Sequence, residues 1–443
     1  MLENTLECFS ETLFLFLTGK PKHARNLLLK RHSENLQTHG EFSFPNSVRS
    51  WHEYVSCDEA AGKENTSLLQ VIGKETSDIV EESKRWNLQV CEVKDIKGRI
   101  YLFLERPRTI RIGMLEALHN NAVLSLKIQK GYSTVQLDPC CEDICDLTSL
   151  RTKYVCNVIK NLCALSDVNL PIFVTSKSTN KCDGHHQVLC GTVLNSKSGA
   201  KEADISADHF IRLRQDEMTL IAQHKYGVRV STDSKWKEFI AHLGESAAAF
   251  ELLQTRPSGA VKINFDCSSF GSSKGASFIL YNCARLATII RTFNDKVDEG
   301  TYPELPELDD VDFTLLTQED DWYLIFNYIL GLPSLLTNCV ELNNKACEFR
   351  PHQICSYLCS MVRVFSQYYR RFRILLEPRK HLLPVIYARI HMLKILNETL
   401  KICLTILNIK SYLNIQLHYK TYRKKKCFVW KHKVHVIDPG ILL

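Results

Sequence analysis

The sequence predicts a mixed α/β amino-terminal region followed by an all-α helical bundle, and three observations carry the prediction. Short apolar runs of strand period, among them LQVCEVKD, GRIYLFLE and LPIFVTS, alternate with helical segments as far as residue 265. From Lys274 onward apolar residues recur only at helical spacing. Between the two patterns stands CSSFGSSKG, whose Ser and Gly content is that of a linker.

Residues 1–85 read as a mostly helical, polar segment. Its basic stretch GKPKHARNLLLKRH carries Lys20, Lys22, Arg25, Lys30 and Arg31, which suits either a nucleic-acid contact or a solvated helix face. Residues 86–265 read as a mixed α/β domain. Two alternating runs flank Lys97-Gly98, the pattern of a β-hairpin. AVLSLKI, LPIFVTS, QVLCGTVL and AVKINF are further strand candidates, with helices over Asp208–Tyr226 and Trp236–Leu253.

After a Ser/Gly linker over 266–277, the bundle is expected over 275–410. Its first helix, KGASFILYNCARLATIIRTF, puts Ile279, Leu280, Cys283, Leu286, Ala287, Ile290 and Phe293 on one side, and Tyr281, Arg285 and Thr288 on the other. At i and i+4, Tyr281 and Arg285 can stack, readying Arg285 for RNA or for the body across the linker; its position favours the body. DWYLIFNYILGLPSLL, PHQICSYLCSMVRVFSQYYRRF and PVIYARIHMLKILNETLKICLTILNI supply the remaining helices, with Pro351 and Pro384 where helix starts tolerate proline.

In the helix through Phe365, a buried stripe is expected of Leu358, Met361, Val362, Phe365, Tyr369 and Phe372. Arg363 and Arg370 fall nearly opposite, and Arg371 and Arg373 flank them, with Tyr368 as a stacking platform. That ridge suits phosphates, or equally a solvated face or a partner for an acidic loop. Arg389 shares a side with Leu393, Leu396 and Leu400 and is expected in a buried ion pair.

Charge is segregated along the chain. The net charge is +7, yet residues 410–443 hold eight Lys/Arg and one acid, leaving 48 basic and 48 acidic residues before them. Asp295–Asp321 carries eleven acids and one Lys, whereas Arg363–Lys394 carries eight Lys/Arg and one Glu. Eighteen cysteines in a large chain, with Glu3, Glu7 and Glu11 where a secretory signal would be basic, are expected to be reduced intracellular thiols. No apolar run approaches the ~20 residues of a membrane span.

Catalytic signals are weak. GSSKG matches Gly-x-Ser-x-Gly, but CSSF separates it from the strand AVKINF, which leaves a Ser273 hydrolase a minor reading beside a phosphate-holding helix start with Lys274. The set Cys140, Cys141, Cys145, Cys156, Cys163, Cys182, His185, His186 and Cys190 holds metal-competent side chains without the paired C-x-x-C knuckle of a zinc site. Walker, Gly-x-Gly-x-x-Gly and His-Glu-x-x-His signatures are missing.

The helical region resembles the DALR anticodon-binding domain that ends arginyl-tRNA synthetases. FILYNCARLATIIR resembles that family's Tyr-x-x-Ala-x-Ala-Arg helix, and PHQICSYLCSMVRVFSQYY its Pro-His-x-Ile/Leu-x-x-Tyr-Leu…Phe-x-x-Tyr-Tyr helix. LIFNYILGLPSLL and YARIHMLKILNETLKICLTILNI complete the order. The resemblance makes the amino-terminal region a degenerate synthetase-like body, because no His-Ile-Gly-His-like or Lys-Met-Ser-Lys-like signature accompanies it; RTIRIGMLEAL lacks both histidines.

LYNCARLAT and ILLEPRKHLL resemble vertebrate members of the family. That resemblance implies a non-catalytic, cytoplasmic adaptor, without cofactor, that binds arginine tRNAs and assists a methyltransferase-like enzyme forming 3-methylcytidine in the anticodon loop. The RNA-binding residues would be Arg363, Tyr368, Arg370, Arg371 and Arg373, with Arg285, Tyr281 and Lys274. A protein–protein scaffold without RNA binding, or residual aminoacylation-related activity, is the alternative. The basic-aromatic tail 411–443, with Arg423–Lys426, Tyr419, Tyr422, Phe428 and Trp430, departs from the family ending; an RNA contact, a nuclear address and a variant end all fit it.

Overall fold

The structure, a computed structural model, describes residues 2–22, 28–55, 66–130, 134–143, 145–226, 234–265, 273–343 and 346–410. Helix α1 (Thr5–Thr18) starts where Asn4 Oδ1 accepts the Glu7 N–H at 3.2 Å and stops at Gly19, in the left-handed region. There follow β1 (Lys30–Arg31), α2 (Leu36–His39), β2 (Phe42–Pro45), α3 (Leu68–Val71), α4 (Thr76–Ser83), β3 (Val90–Ile96) and β4 (Arg99–Leu104).

The expected hairpin is β3–β4, and both turn residues, Lys97 at φ 54° and Gly98 at φ 74°, have the positive φ of a tight two-residue hairpin. Its partner lies outside the expected domain. The sheet order is β1-β2-β4-β3, with Phe42 opposite Leu102, so hydrogen bonding crosses the boundary expected at residue 85. FSFP is too short to show a period, and only pairing makes it a strand.

Helix α5 (Arg106–Lys130) corrects one expectation, because AVLSLKI lies inside it. Ile110, Met114, Ala117, Asn121 and Leu124 are buried at spacings of three and four, whereas Leu118 and Leu126 face solvent. The apparent alternation was a fragment of a helical pattern. Beyond it, β5 (Val135–Leu137), α6 (Leu147–Ser166), β6 (Ile172–Thr175) and β7 (His186–Leu189) build a parallel sheet ordered β5-β6-β7. β8 (Val193–Asn195), α7 (Ala207–Tyr226), α8 (Ser234–Leu253) and β9 (Val261–Ile263) follow, with β8 and β9 parallel. This is the mixed α/β region the sequence predicts.

The carboxy-terminal part comprises α9 (Ser273–Asp298), α10 (Glu319–Leu324), a wider π-helical turn at Ile325–Ile329, α11 (Leu332–Asn338), α12 (Pro351–Arg371) and α13 (Leu383–Ile406). It is not helices alone. An antiparallel hairpin of β10 (Val340–Asn343) and β11 (Ala346–Phe349) precedes α12, and Arg350 ties it down by pairing with Glu341 and Glu348. Helix α9 begins at Ser273, inside the expected linker, and residues 266–272 lie outside the described set. Among the described strands, β9 ends at Ile263 and does not lead directly into Ser273 as a hydrolase elbow requires.

One apolar core runs through both regions, joining Met114 and Leu124 of α5 to Leu330 and to Leu393 and Leu396 of α13. A Cβ on Gly113 would meet Leu330 at 2.7 Å, so glycine is what allows α5 so close to the bundle. Asn161 of α6 donates to the Thr405 and Ile406 carbonyls at 3.1 and 3.0 Å, satisfying the open end of α13.

Candidate nucleic-acid interface

The site is built on the outer faces of α9 and α12. Buried Ile354, Leu358, Met361, Val362 and Phe365 seat α12 on the core and turn Arg363, Arg370 and Arg371 outward; Arg373, just past its end, is exposed as well. Among the described residues Arg363, Arg370 and Arg373 make no ion pair. Arg371 does: its Nη1 donates to both carboxylate oxygens of Asp320, at 2.9 and 2.8 Å. The acidic segment therefore reaches the ridge through one residue.

Tyr368 and Tyr369 exchange the roles the sequence suggests. Tyr368 is fully buried, against the buried Asp321 and beside Phe372 at 5.1 Å, and is no stacking platform. Burial, reinforced by the Asp321 charge, pushes its phenol well above the ordinary range. Tyr369 is 40% exposed. The helical stripe drifts at the end of α12 because α10 and α13 close over the Tyr368 side there, and only their packing decides which ring is covered.

Arg285 is held by this surface. Its guanidinium carbon lies 4.6 Å from the Tyr281 ring centre and 4.5 Å from that of Tyr369. Nη2 donates to Tyr281 Oη at 2.8 Å, and Nη1 to Asn282 Oδ1 and Ser366 Oγ at 3.3 and 3.5 Å. The stack expected between Tyr281 and Arg285 is present, but Arg285's contacts run across the bundle to α12, not to the body as expected. Lys274 lies in the first turn of α9, with its side chain outside the described residues.

Other expected positions are placed differently. Arg389 sits over the Phe372 ring at 5.5 Å, and its charge acts on Asp321 without an ion pair forming among the described residues. Asp321, whose carboxylate accepts the Gln318 N–H, is raised by burial above the usual carboxylate range, with Tyr368 and Arg389 opposing the shift. In the amino-terminal basic stretch, Lys22 pairs with Glu7 at 2.8 Å. Arg31 reaches the Phe326 carbonyl at 3.4 Å and lies over that ring; burial lowers its pKa to about 10. Arg31 thus links the first sheet to the bundle. Arg25 and the whole tail 411–443 lie outside the described residues.

Sequence reasoning missed a second aromatic-basic cluster. Tyr101 on β4 stacks on His39 at 5.4 Å and His32 at 5.9 Å, with Arg99 Nε donating to Ser43 Oγ at 2.9 Å and Lys30 exposed alongside. Its members are scattered over some seventy positions, and strand pairing alone gathers them. Among the described residues no three His, Cys, Asp or Glu side chains form a metal-ion group, and no helix is long and apolar enough to cross a membrane.

Residues 279–415 match the family model described as DALR anticodon binding domain. Over 214 residues, 48% of this chain and 39% of the relative, the chain is 32% identical to the "DALR anticodon-binding domain-containing protein 3" of Rattus norvegicus. It is 30% identical over 143 residues, 32% of this chain and 24% of the relative, to an arginine-tRNA ligase of Syntrophotalea carbinolica. A solved arginyl-tRNA synthetase of Plasmodium falciparum aligns with 78% of this chain and 52% of its own, at 14% identity and a TM-score of 0.38. The chain covers about two fifths of the length of the first of these relatives.

Proposed function

We propose that this chain, which carries a DALR anticodon-binding domain, grips the anticodon arm of a tRNA without itself catalysing a reaction on it. The observation that carries this reading is the set Arg363, Arg370 and Arg373, exposed and unpaired among the described residues, beside the exposed ring of Tyr369. Guanidinium forks contact phosphates and fix the register of an RNA, while an aromatic face accepts an unstacked base. Arg285 lies against the Tyr369 ring and restrains it before binding, which lowers the side-chain freedom lost on binding.

The finer reading is an adaptor for arginine tRNAs that works with a methyltransferase-like enzyme forming 3-methylcytidine in the anticodon loop, in the cytoplasm. Its support is the similarity to the DALR-domain relatives and the missing synthetase signatures. Crosslinking RNA to the chain in cells, purifying the adduct and sequencing its RNA tests both levels. Enrichment of arginine tRNAs supports the full reading, mixed tRNAs support anticodon-arm binding alone, and recovery of no RNA overturns both.

One observation favours a second reading, a protein–protein scaffold: Asp320 already occupies Arg371. In that case the acidic segment would stand in for phosphate, and neutralising Asp320 would leave RNA recovery at background.

A further inference from the structure

We infer that the open edge of the β5-β6-β7 sheet receives an extended, acidic segment of a partner protein as an added strand. Among the described strands β5 pairs with β6 alone, so one side of it is unpaired. The Thr134 carbonyl accepts the Ile172 N–H at 3.0 Å and the Asp138 N–H donates to the Val174 carbonyl at 2.9 Å, which turns residues 134 and 138 toward β6. In a parallel strand the direction alternates, so the N–H and C=O groups of Val135 and Leu137 point the other way.

Leu137, half-buried, and the exposed Gln136 line a groove of about 860 Å³, whereas Val135 is buried. One wall is α6, which presents Lys153, Asn157 and Lys160 at i, i+4 and i+7; Lys181 stands on the lip formed by the loop after β6. None of these lysines makes an ion pair among the described residues. Of the two acids lining the groove, Asp138 is already spent on its own loop, accepting from Thr175 Oγ1 at 2.5 Å, Asn180 Nδ2 at 2.8 Å and the Cys140 N–H at 3.0 Å. Glu142 alone faces three lysines.

The chemistry of the edge selects the occupant. Leu137 offers a donor and an acceptor on one side of the strand, which another peptide backbone answers group for group, whereas a phosphodiester chain brings acceptors only. Every second side chain of an added strand returns to the same face, about 7 Å further on, where Glu or Asp would meet the lysines. A second copy of this chain paired through β5 would set the same three lysines against each other. The groove lies on the α/β region, apart from the α9–α12 surface, so the inference does not depend on RNA binding.

The test uses the full chain and a short fluorescent peptide alternating Glu and Val, followed by anisotropy and by hydrogen exchange. Saturable binding with slowed exchange at Leu137 is expected. Methylating alternate peptide amides, or introducing Lys153→Glu, Lys160→Glu and Lys181→Glu together, should weaken binding about tenfold or more. Lys→Gln versions of the same three sites repeat the charge test should the Glu variant misfold. No saturable binding, equal binding of the methylated peptide, or displacement of the peptide by a single-stranded oligouridylate would overturn the proposal.

Discussion

The Arg285 guanidinium of α9 lies over the Tyr369 ring of α12, 4.5 Å from carbon to ring centre, and 4.6 Å from the ring centre of Tyr281. A charge close to two aromatic rings is stabilised without a carboxylate partner, and so leaves the surface net positive. Helix α9 is thereby held against α12, the helix that carries the exposed arginines and the exposed tyrosine.

Replacing Arg285 by Lys keeps the charge but removes the planar stacking and the fork of donors. The expected cost is about 1–2 kcal/mol of stability, measured by urea unfolding. In a double-mutant cycle with Tyr369→Leu, a coupling of about 0.5–1 kcal/mol should appear. A coupling of zero would mean that the contact is adventitious.

Substituting Arg363, Arg370 and Arg373 together by Gln should flatten the salt dependence of tRNA binding by about 0.7 in log–log slope for each phosphate that is no longer neutralised. Stability should barely change, because all three are exposed. An unaltered slope removes this ridge from the interface.

Asp320 competes with phosphate for Arg371, so Asp320→Asn should tighten tRNA binding, and Arg371→Gln should weaken it less than Arg370→Gln. The exposed pair itself is worth only about 0–1 kcal/mol, so folding is not the readout. Filter-binding titrations of the three variants decide the order.

Arg151, fully buried, donates to five carbonyls: Leu252 at 3.1 Å, Gly191 at 2.6 Å, Gly259 at 2.7 Å, Thr255 at 3.4 Å and Arg256 at 3.0 Å. No other side chain has a fork that reaches them all. Arg151→Met should therefore cost at least about 3 kcal/mol, since each orphaned buried carbonyl costs about 1–3 kcal/mol. A urea midpoint close to that of the parent chain would refute this account of the loop 254–260.

His32 is lowered to about 4 by burial, with the charges of Lys30, His39 and Arg99 adding to the shift. The unfolded chain takes up this proton near the ordinary value of about 6.5, whereas the folded chain resists it. More protons are thus bound by the unfolded state across that interval, so this contribution to stability falls as pH drops through it and is level above it. Comparing urea midpoints at neutral and mildly acidic pH, His32→Gln should show a smaller acid-induced drop than the parent chain.

Sequence periodicity reached far where an element is long and one face is buried. The helices α7, α8, α9, α12 and α13, the β3–β4 turn at Lys97-Gly98 and the strands β6 and β9 were legible, since local spacing determines which residues can share a face, whereas QVLCGTVL, expected as a single strand, divides into β7 and β8 of two different sheets. The motif order of the bundle was legible too, and the family model matches 279–415. Two facts of the candidate site were likewise local: the i, i+4 pairing of Tyr281 with Arg285, and the outward ridge of arginines on α12.

What the sequence by itself could not determine was whatever depends on a distant partner. FSFP becomes a strand only by pairing with β4, and AVLSLKI becomes helix because Leu124 packs with the rest of α5 against the core. Tyr368 and Tyr369 are adjacent and equally placed by helical period, yet the closure of α10 and α13 buries one and exposes the other. Arg285 could have faced either region, and the rings and hydroxyls within reach on α12 settled it. Period fixes which residues share a side of a helix, but only tertiary packing supplies the atoms on the other side of the contact, and with them which polar groups are left free to bind.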